Sequence, residues 1–362
     1  MAKFEGIHWS AKQMRYLLPG KKFSLLDGEA QVVACSRSTN NGAFLAFEGI
    51  RFYCMKNAAG RLEVIFLNWD KNLERFRRGM FFNIGADQTG LVPSRAELED
   101  LFINRYFRDP AMRSFFEEMA ALGAQGYLRP FTVDEEQSIG VTFPAEPAIR
   151  AVASRYDRYL GEPFSGVVIP HLVRAVAVNG TGWLKLGVNY LMSIKAVEEA
   201  RRIRPDAAAA LFLDDQTYKP LDERQITEWD SSCCLFGFRD GTVVKIPENP
   251  LILPSVTILG VTAILRERGV RVEERFLTYG ELTRRSAAGE LVAACSIGTA
   301  GILNRCAKLY FIDADKKIIG LHEPDQKHPL YAVLADARTY YWDIYKEKVP
   351  PLAGMKLTKY EI

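Results

Sequence analysis

The strongest constraint on the fold of this chain is the order in which its apolar patterns arrive. Extended runs come in groups, and helical runs come in groups or singly. "FLAFEGIRFYCM" and "RLEVIFLNW" are β-rich and are joined by the turn signal "KNAAG". "DKNLERFRRGMFF" follows at helical spacing, with Leu73, Phe76 and Met80 on one face. "SRAELEDLFINRYF" opens with a capping box, Ser94 then Glu97. "AMRSFFEEMAALGAQG" reads as a helix stopped by glycines, and "GYLRPFTV" as a strand. Further on, "NYLMSIKAVEEARRIRP", "SVTILGVTAILRERG", "YGELTRRSAAGE" and "HPLYAVLADARTYYWDIYKEK" read as helices. "AAAALFLD", "QITEWDSSCCLFGF", "TVVKIP", "VRVEERFLT" and the pair broken at "GTAG" read as strands. The regular βαβ alternation of a doubly wound sheet is missing, so the pattern predicts an α+β fold. No GxGxxG follows a strand, which removes the usual nicotinamide-cofactor reading.

At 362 residues the chain has room for two domains. The stretch "SRYDRYLGEPFSGVVIPHLV" has two prolines, two glycines and no helical period. It places a domain over residues 1–157, a connection over 158–172 and a second domain over 173–362. A net charge of +3 without a basic, aromatic-interleaved block disfavours a nucleic-acid partner. No window approaches a membrane span, and "MAKFEGIHWSAKQ" lacks the layout of a signal peptide. The six cysteines form no CxxC pair and sit mostly in apolar runs, as expected of buried thiols in a reducing cytoplasm. Four histidines without ligand spacing give no metal site.

The window that carries chemistry is "NGTGWLKLGVNY", Asn179 to Tyr190. A nucleotide P-loop needs a hydroxyl residue after its lysine, and Lys185 is followed by Leu186. Trp183, Leu184, Leu186 and Val188 surround the lysine. A lysine so placed either buries its stem and solvates its head or has a lowered pKa. In the second case the neutral amine can attack carbonyls.

This window resembles the lysine motif of the branched-chain aminotransferases, which are class IV, fold type IV pyridoxal-phosphate enzymes. Other stretches resemble the same family in the same order. They are "FEGIRFY", "LNWDKNLERF", "GYLRP", "ITEWDSSCCLFGF", "ILPSVTILGVTAIL" and "SIGTAGI". The resemblance implies a D-amino acid aminotransferase-like fold, with a small N-terminal α/β domain and a larger C-terminal domain with a β-barrel-like core. It implies pyridoxal 5′-phosphate, held as a Schiff base on Lys185 and gripped at its phosphate by Arg75. Glu228 would pair with the pyridine nitrogen and Tyr190 with the ring oxygen. Ser231 and the amides of Val256 and Thr257 would add to the phosphate site. Thr299 and Ala300 would bind the substrate α-carboxylate with help from Tyr127, Thr299 also lying by the cofactor. Arg129 would meet the distal carboxylate of glutamate. Arg174 resembles a residue at the ring edge.

The implied activity is a ping-pong transamination between an L-amino acid, branched-chain or related, and a 2-oxo acid, with glutamate as partner. The implied assembly is a cytoplasmic homodimer. Several positions depart from the family pattern. Asp230 and Ser255 stand for glycine, Cys233 for asparagine and Ile258 for arginine. "STNNGAFLAFEG" offers asparagines where an early aromatic is usual. The departures leave open a specialised biosynthetic substrate. Two competing readings are a lyase of the same fold, disfavoured by the Tyr127–Arg129 pair, and a degenerate binding protein.

Overall fold

The structure, a computed structural model, describes residues 4–32, 35–36, 38–39, 44–159 and 163–362. Asn40 and Asn41, the asparagines of "STNNGAFLAFEG", lie outside the described residues. The architecture is mixed α and β, with the strands gathered into sheets rather than alternating with helices. The chain forms two compact units. Phe4–Arg158, Leu184–Val188 and Met355–Ile362 make the first, and Tyr159–Trp183 with Asn189–Gly354 make the second.

The first unit is built on an antiparallel sheet of seven strands among the described residues. In chain order these include β1 (His8–Leu17), β2 (Lys22–Asp27), β3 (Ile50–Lys56) and β4 (Leu62–Leu67). β5 (Gln125–Asp134), β6 (Pro147–Tyr156) and the last strand, Leu357–Glu361, complete it. Their spatial order is Leu357–Glu361, β4, β3, β5, β6, β1, β2. Helix α1 (Trp69–Phe82) buries Leu73, Phe76 and Met80, as its spacing predicts, and buries Arg75 with them. The capping box forms: the Ser94 hydroxyl accepts from the Glu97 amide at 3.2 Å, and the Glu97 carboxylate accepts from the Ser94 amide at 2.8 Å. The helix it starts, Arg95–Glu99, continues as a π-helical stretch, Asp100–Phe107. Helix α2 (Arg113–Leu122) ends at Gly123, whose φ of 60° is open to glycine at little cost. Phe52, Phe107 and Phe116 pack with ring centroids 4.7–6.0 Å apart, filling the space between the sheet and these helices.

The second unit carries a mixed sheet of nine strands among the described residues. Its strands are β7 (Phe164–Ile169), β8 (Ala207–Leu213), β9 (Ile226–Trp229), β10 (Cys233–Phe238), β11 (Thr242–Lys245), β12 (Arg271–Glu274), β13 (Leu291–Gly298), β14 (Ile302–Ile312) and β15 (Ile318–His322). The order runs β9-β8-β7-β14-β13-β10-β11-β12, and β15 pairs with β14. β7 lies inside the stretch read from sequence as irregular. It runs parallel to both β8 and β14, with Val167, Val168 and Ile169 fully buried. Buried parallel strands show a short apolar run rather than an alternation, and "VVI" between a glycine and a proline is too short to display a period. Helix α3 (Leu191–Ile203) covers one face of the sheet through Ala196, Val197 and Ala200. The other face packs Trp229, Phe236, Tyr279 and Phe311. Helices α4 (Val256–Glu267), α5 (Tyr279–Ala287) and α6 (Pro329–Tyr345) complete the unit. No helix among the described residues is long and apolar enough to cross a membrane.

Candidate active site

In the first unit the lysine segment is bonded through its backbone to the 44–48 stretch. The Phe47 amide donates to the Lys185 carbonyl at 3.0 Å, and the Gly187 amide donates to the Leu45 carbonyl at 3.0 Å. On its other side the 44–48 stretch meets β5: the Glu48 amide donates to the Pro130 carbonyl and the Thr132 amide to the Ala46 carbonyl, both at 2.9 Å. Three extended stretches are thereby held side by side, carrying Lys185, then Phe47 and Glu48, then Tyr127 and Arg129.

Their side chains form one cluster. The Lys185 amine lies 4.7 Å from the centroid of the Phe47 ring, and the Arg129 guanidinium lies 4.8 Å from the same centroid. Arg129 donates to the Tyr127 hydroxyl at 2.7 Å. Gly49 passes directly over that hydroxyl, where any Cβ would overlap it. Arg75 reaches in from α1 and gives Nε and Nη2 to the two oxygens of Glu48, at 2.7 and 2.5 Å. Both members of this ion pair are buried, Glu48 completely. The Lys185 residue is half-buried as a whole, but its amine end is enclosed. Burial first, and then the positive charge of Arg75, push its pKa down to about 8, while Glu48 pulls the other way. A lysine in this state has a useful fraction of neutral amine near pH 7–8, which is what nucleophilic attack on a carbonyl requires.

In the second unit Glu228 is buried on β9 and forms an ion pair with Arg174. Arg174 also gives Nη1 to the Leu251 carbonyl at 2.6 Å, while its buried Nε has no partner. The Cys233 thiol lies 3.9 Å from Glu228 Oε2 and 3.6 Å from the Leu253 carbonyl. A carboxylate so enclosed needs a countercharge, and Arg174 supplies it.

The remaining residues that the family pattern marks are placed on separate elements of this second unit. Tyr190 ends a 3-10 turn, Gly187–Tyr190, that leads into α3. Val256 and Thr257 open α4, a helix start of the kind that can bind an anion through its backbone N–H groups. Thr299 and Ala300 lie in the β13–β14 hairpin turn, half-buried, and Ser231 is exposed at the β9–β10 turn.

All four departures are accommodated in the structure, Cys233 through the contacts given above. The Asp230 carboxylate accepts from the Ala210 amide at 3.0 Å at a register shift in the β8–β9 pair. Ser255 caps α4, its hydroxyl accepting from the Ile258 amide at 3.3 Å. Ile258 itself is buried. The sequence reading overlooked Glu48 and Phe47. The available signals were an acid set inside the apolar run "AFEGIRF" and an arginine on the buried face of α1, each needing a partner.

No family model matches the chain. A probable branched-chain-amino-acid aminotransferase of Staphylococcus aureus (strain N315) is 28% identical over 197 residues, 53% of this chain and 52% of the relative. A branched-chain-amino-acid transaminase of Bacillus subtilis is 29% identical over 191 residues, 52% of this chain and 51% of the relative. The chain thus spans about half the length of these curated relatives. Among solved structures, the branched-chain amino acid aminotransferase of Thermobaculum terrenum (M3 mutant) superposes with a TM-score of 0.70 at 17% identity, covering 98% of this chain and 99% of that one. The branched-chain aminotransferase of the archaeon Thermoproteus uzoniensis, solved with norvaline, gives 0.65 at 20% identity, covering 94% and 96%. The chain has the type IV fold of the branched-chain aminotransferases and is a relative of them in sequence.

Proposed function

We propose that the chain is a pyridoxal-phosphate-dependent aminotransferase. It moves the amino group of an L-amino acid, branched-chain or related, to a 2-oxo acid in a ping-pong sequence, with glutamate as partner. The observation that carries this reading is Lys185, an enclosed amine with its pKa down at about 8, ringed by Phe47, Arg75, Tyr127 and Arg129. The donor set suits the cofactor: a nucleophilic amine for an aldehyde, a buried guanidinium for a phosphate, and a buried carboxylate for a ring nitrogen. When bound, pyridoxal phosphate supplies an electron sink for charge developing at the substrate α-carbon.

Lys185 is assigned the covalent attachment and, once released, the movement of a proton at the α-carbon. Arg75 is assigned the phosphate, with Ser231 and the amides of Val256, Thr257 and Thr299 as supports. Glu228 is assigned the ring nitrogen and Tyr190 the ring oxygen. Tyr127, Thr299 and Ala300 are assigned the substrate α-carboxylate. Arg129, stacked near Phe47, is assigned a distal carboxylate, which is how glutamate would be accepted as donor.

Each unit exposes apolar side chains, and these support a second copy of the chain as partner. Ile139 and Val141 are each 84% exposed in the first unit. In the second, Leu191 and Ile194 are 72% and 81% exposed at i,i+3 on α3. Analytical ultracentrifugation should give a dimer that Ile194→Glu weakens, and a monomeric wild type would remove the homodimer.

The test of the activity is direct. Purified protein incubated with pyridoxal phosphate and reduced with borohydride should carry the cofactor on Lys185, read by peptide mass spectrometry. Before reduction, L-glutamate should bleach the visible band and yield 2-oxoglutarate. If a panel of common L-amino acids produces no 2-oxo acid, the aminotransferase reading fails.

A further inference from the structure

Glu48 has no role in the reading above, yet it is the most enclosed charge of the lysine cluster. Its carboxylate accepts three hydrogen bonds from two residues. Arg75 Nε and Nη2 donate to it at 2.7 and 2.5 Å, and the Gly49 amide donates to Oε1 at 2.8 Å. Its own amide is fixed to Pro130 at 2.9 Å, one residue from the backbone bond that holds Lys185. Two parallel N–H···O bonds from one guanidinium fix its plane as well as its position. A long side chain fixed in this way loses little further freedom when an anion arrives. Glu48 is also the carboxylate among the charges felt by the Lys185 amine, where it works against Arg75 and Arg129.

We propose that Glu48 is a positioning residue for anion recognition: it clamps Arg75 so that the guanidinium meets a phosphate group in a preset orientation, and it offsets the Arg75 charge beside the Lys185 amine. The proposal rests on the assignment of Arg75 to phosphate. A purely structural pair, tying α1 to the 44–48 stretch, would affect every ligand alike. A positioning role affects ligands that carry phosphate.

The experiment compares wild-type full-length protein with Glu48→Gln and Glu48→Asp, each freed of cofactor. Three probes are used: pyridoxal phosphate, pyridoxal, which lacks the phosphate, and inorganic phosphate read by thermal shift. At a pH above the lysine midpoint, Glu48→Gln should weaken pyridoxal phosphate roughly five- to tenfold while pyridoxal changes less than about twofold, in line with the cost of ordering one long side chain at binding. Stabilisation by inorganic phosphate should fall in parallel.

Removing the carboxylate also takes away one of the two groups, with Tyr127, that hold the lysine pKa up, so the pH midpoint for capture of pyridoxal by Lys185 should move lower. Glu48→Asp keeps the charge but is one methylene too short for the two-point clamp. It should therefore lose phosphate preference while keeping the pH midpoint. Equal losses for pyridoxal phosphate and pyridoxal, or no loss for either, would overturn the proposal. If Glu48→Gln does not fold, the loss of phosphate preference in Glu48→Asp decides alone. Arg75→Lys, which keeps a cation that cannot be clamped at two points, should reproduce it. The inorganic-phosphate arm involves no chemistry at Lys185. A protein that binds phosphate in a Glu48-dependent way yet forms no bond to pyridoxal phosphate would therefore remove the proposed function and leave this inference standing.

Discussion

The two units each bury a carboxylate clamped by an arginine, and the roles proposed for them have opposite signs. In the first, Arg75 is the proposed working group and Glu48 its proposed holder: two guanidinium nitrogens are committed to the carboxylate, and the positive charge lowers the Lys185 pKa. In the second, Glu228 is the proposed working group and Arg174 its holder: the arginine is further anchored on the Leu251 carbonyl, and Cys233 sits against the second carboxylate oxygen. A buried ion pair contributes little net stability compared with apolar packing, because desolvation offsets most of the attraction. On the proposed roles, its value lies in presenting one charged group, already desolvated and oriented, to a ligand.

The sharpest way to break this comparison is at the group that only one unit possesses. Lys185→Ala should abolish borohydride-fixed cofactor and lower transamination by on the order of a thousandfold or more. Glu228→Ala, in the other unit, should leave fixation on Lys185 measurable. Fixation surviving in Lys185→Ala would mean that another lysine does this work.

Next come the clamps. Arg75→Ala and Arg174→Ala each strand a buried carboxylate and should cost about 3–5 kcal/mol in urea unfolding. Replacing both partners, as in Glu48→Leu with Arg75→Met or Glu228→Leu with Arg174→Met, should cost less than either single change. A loss under about 1 kcal/mol for Arg174→Ala would show that its pair is not the counterpart of Glu48–Arg75.

A smaller effect separates the units by pH. The Lys185 pKa is near 8 in the folded chain and near its ordinary 10.5 when unfolded. The unfolded state therefore binds more protons between these values, and the lysine's contribution to stability rises with pH across that window. Below pH 8 both states are charged and the enclosed ammonium is a fixed liability. Lys185→Met should consequently stabilise the protein at pH 7, with the advantage shrinking by pH 10.5, in denaturant melts at the two values. An advantage that is independent of pH would place its origin in packing.

The smallest effect tests a departure from the family pattern. Ser255→Ala should cost about 1 kcal/mol by removing the cap of α4, whereas Ser255→Gly should cost only a few tenths. Equal losses would mean that the hydroxyl does not cap.

What could be read from sequence followed local rules. The face of α1, the Ser94–Glu97 box and the stop at Gly123 depend on neighbours within a turn or two. So does the apolar setting of Lys185. The pairings that turn these pieces into sites join residues far apart in the chain: Glu48 with Arg75, Arg174 with Glu228, and Leu45–Phe47 with the lysine segment. No periodicity encodes them, since each depends on the path of the backbone between distant stretches. The acid in "AFEGIRF" and the arginine in "NLERF" each announced a missing partner without naming it. β7 escaped for a different reason, being buried on both faces and too short to show a pattern.

The first unit draws on three separated pieces of chain, and this bears on its biosynthesis. When residue 158 leaves the ribosome, the unit still lacks the Leu184–Val188 segment, and its sheet lacks the edge strand Leu357–Glu361, which pairs with β4. The edge strand is synthesised about two hundred residues later, on the order of 10–40 s at the usual pace of translation. For that interval β4 is an open edge of the kind that recruits other strands. The second unit, contiguous except for the five-residue excursion at Leu184–Val188, can assemble meanwhile. The unit that begins first in the sequence is the one that finishes last.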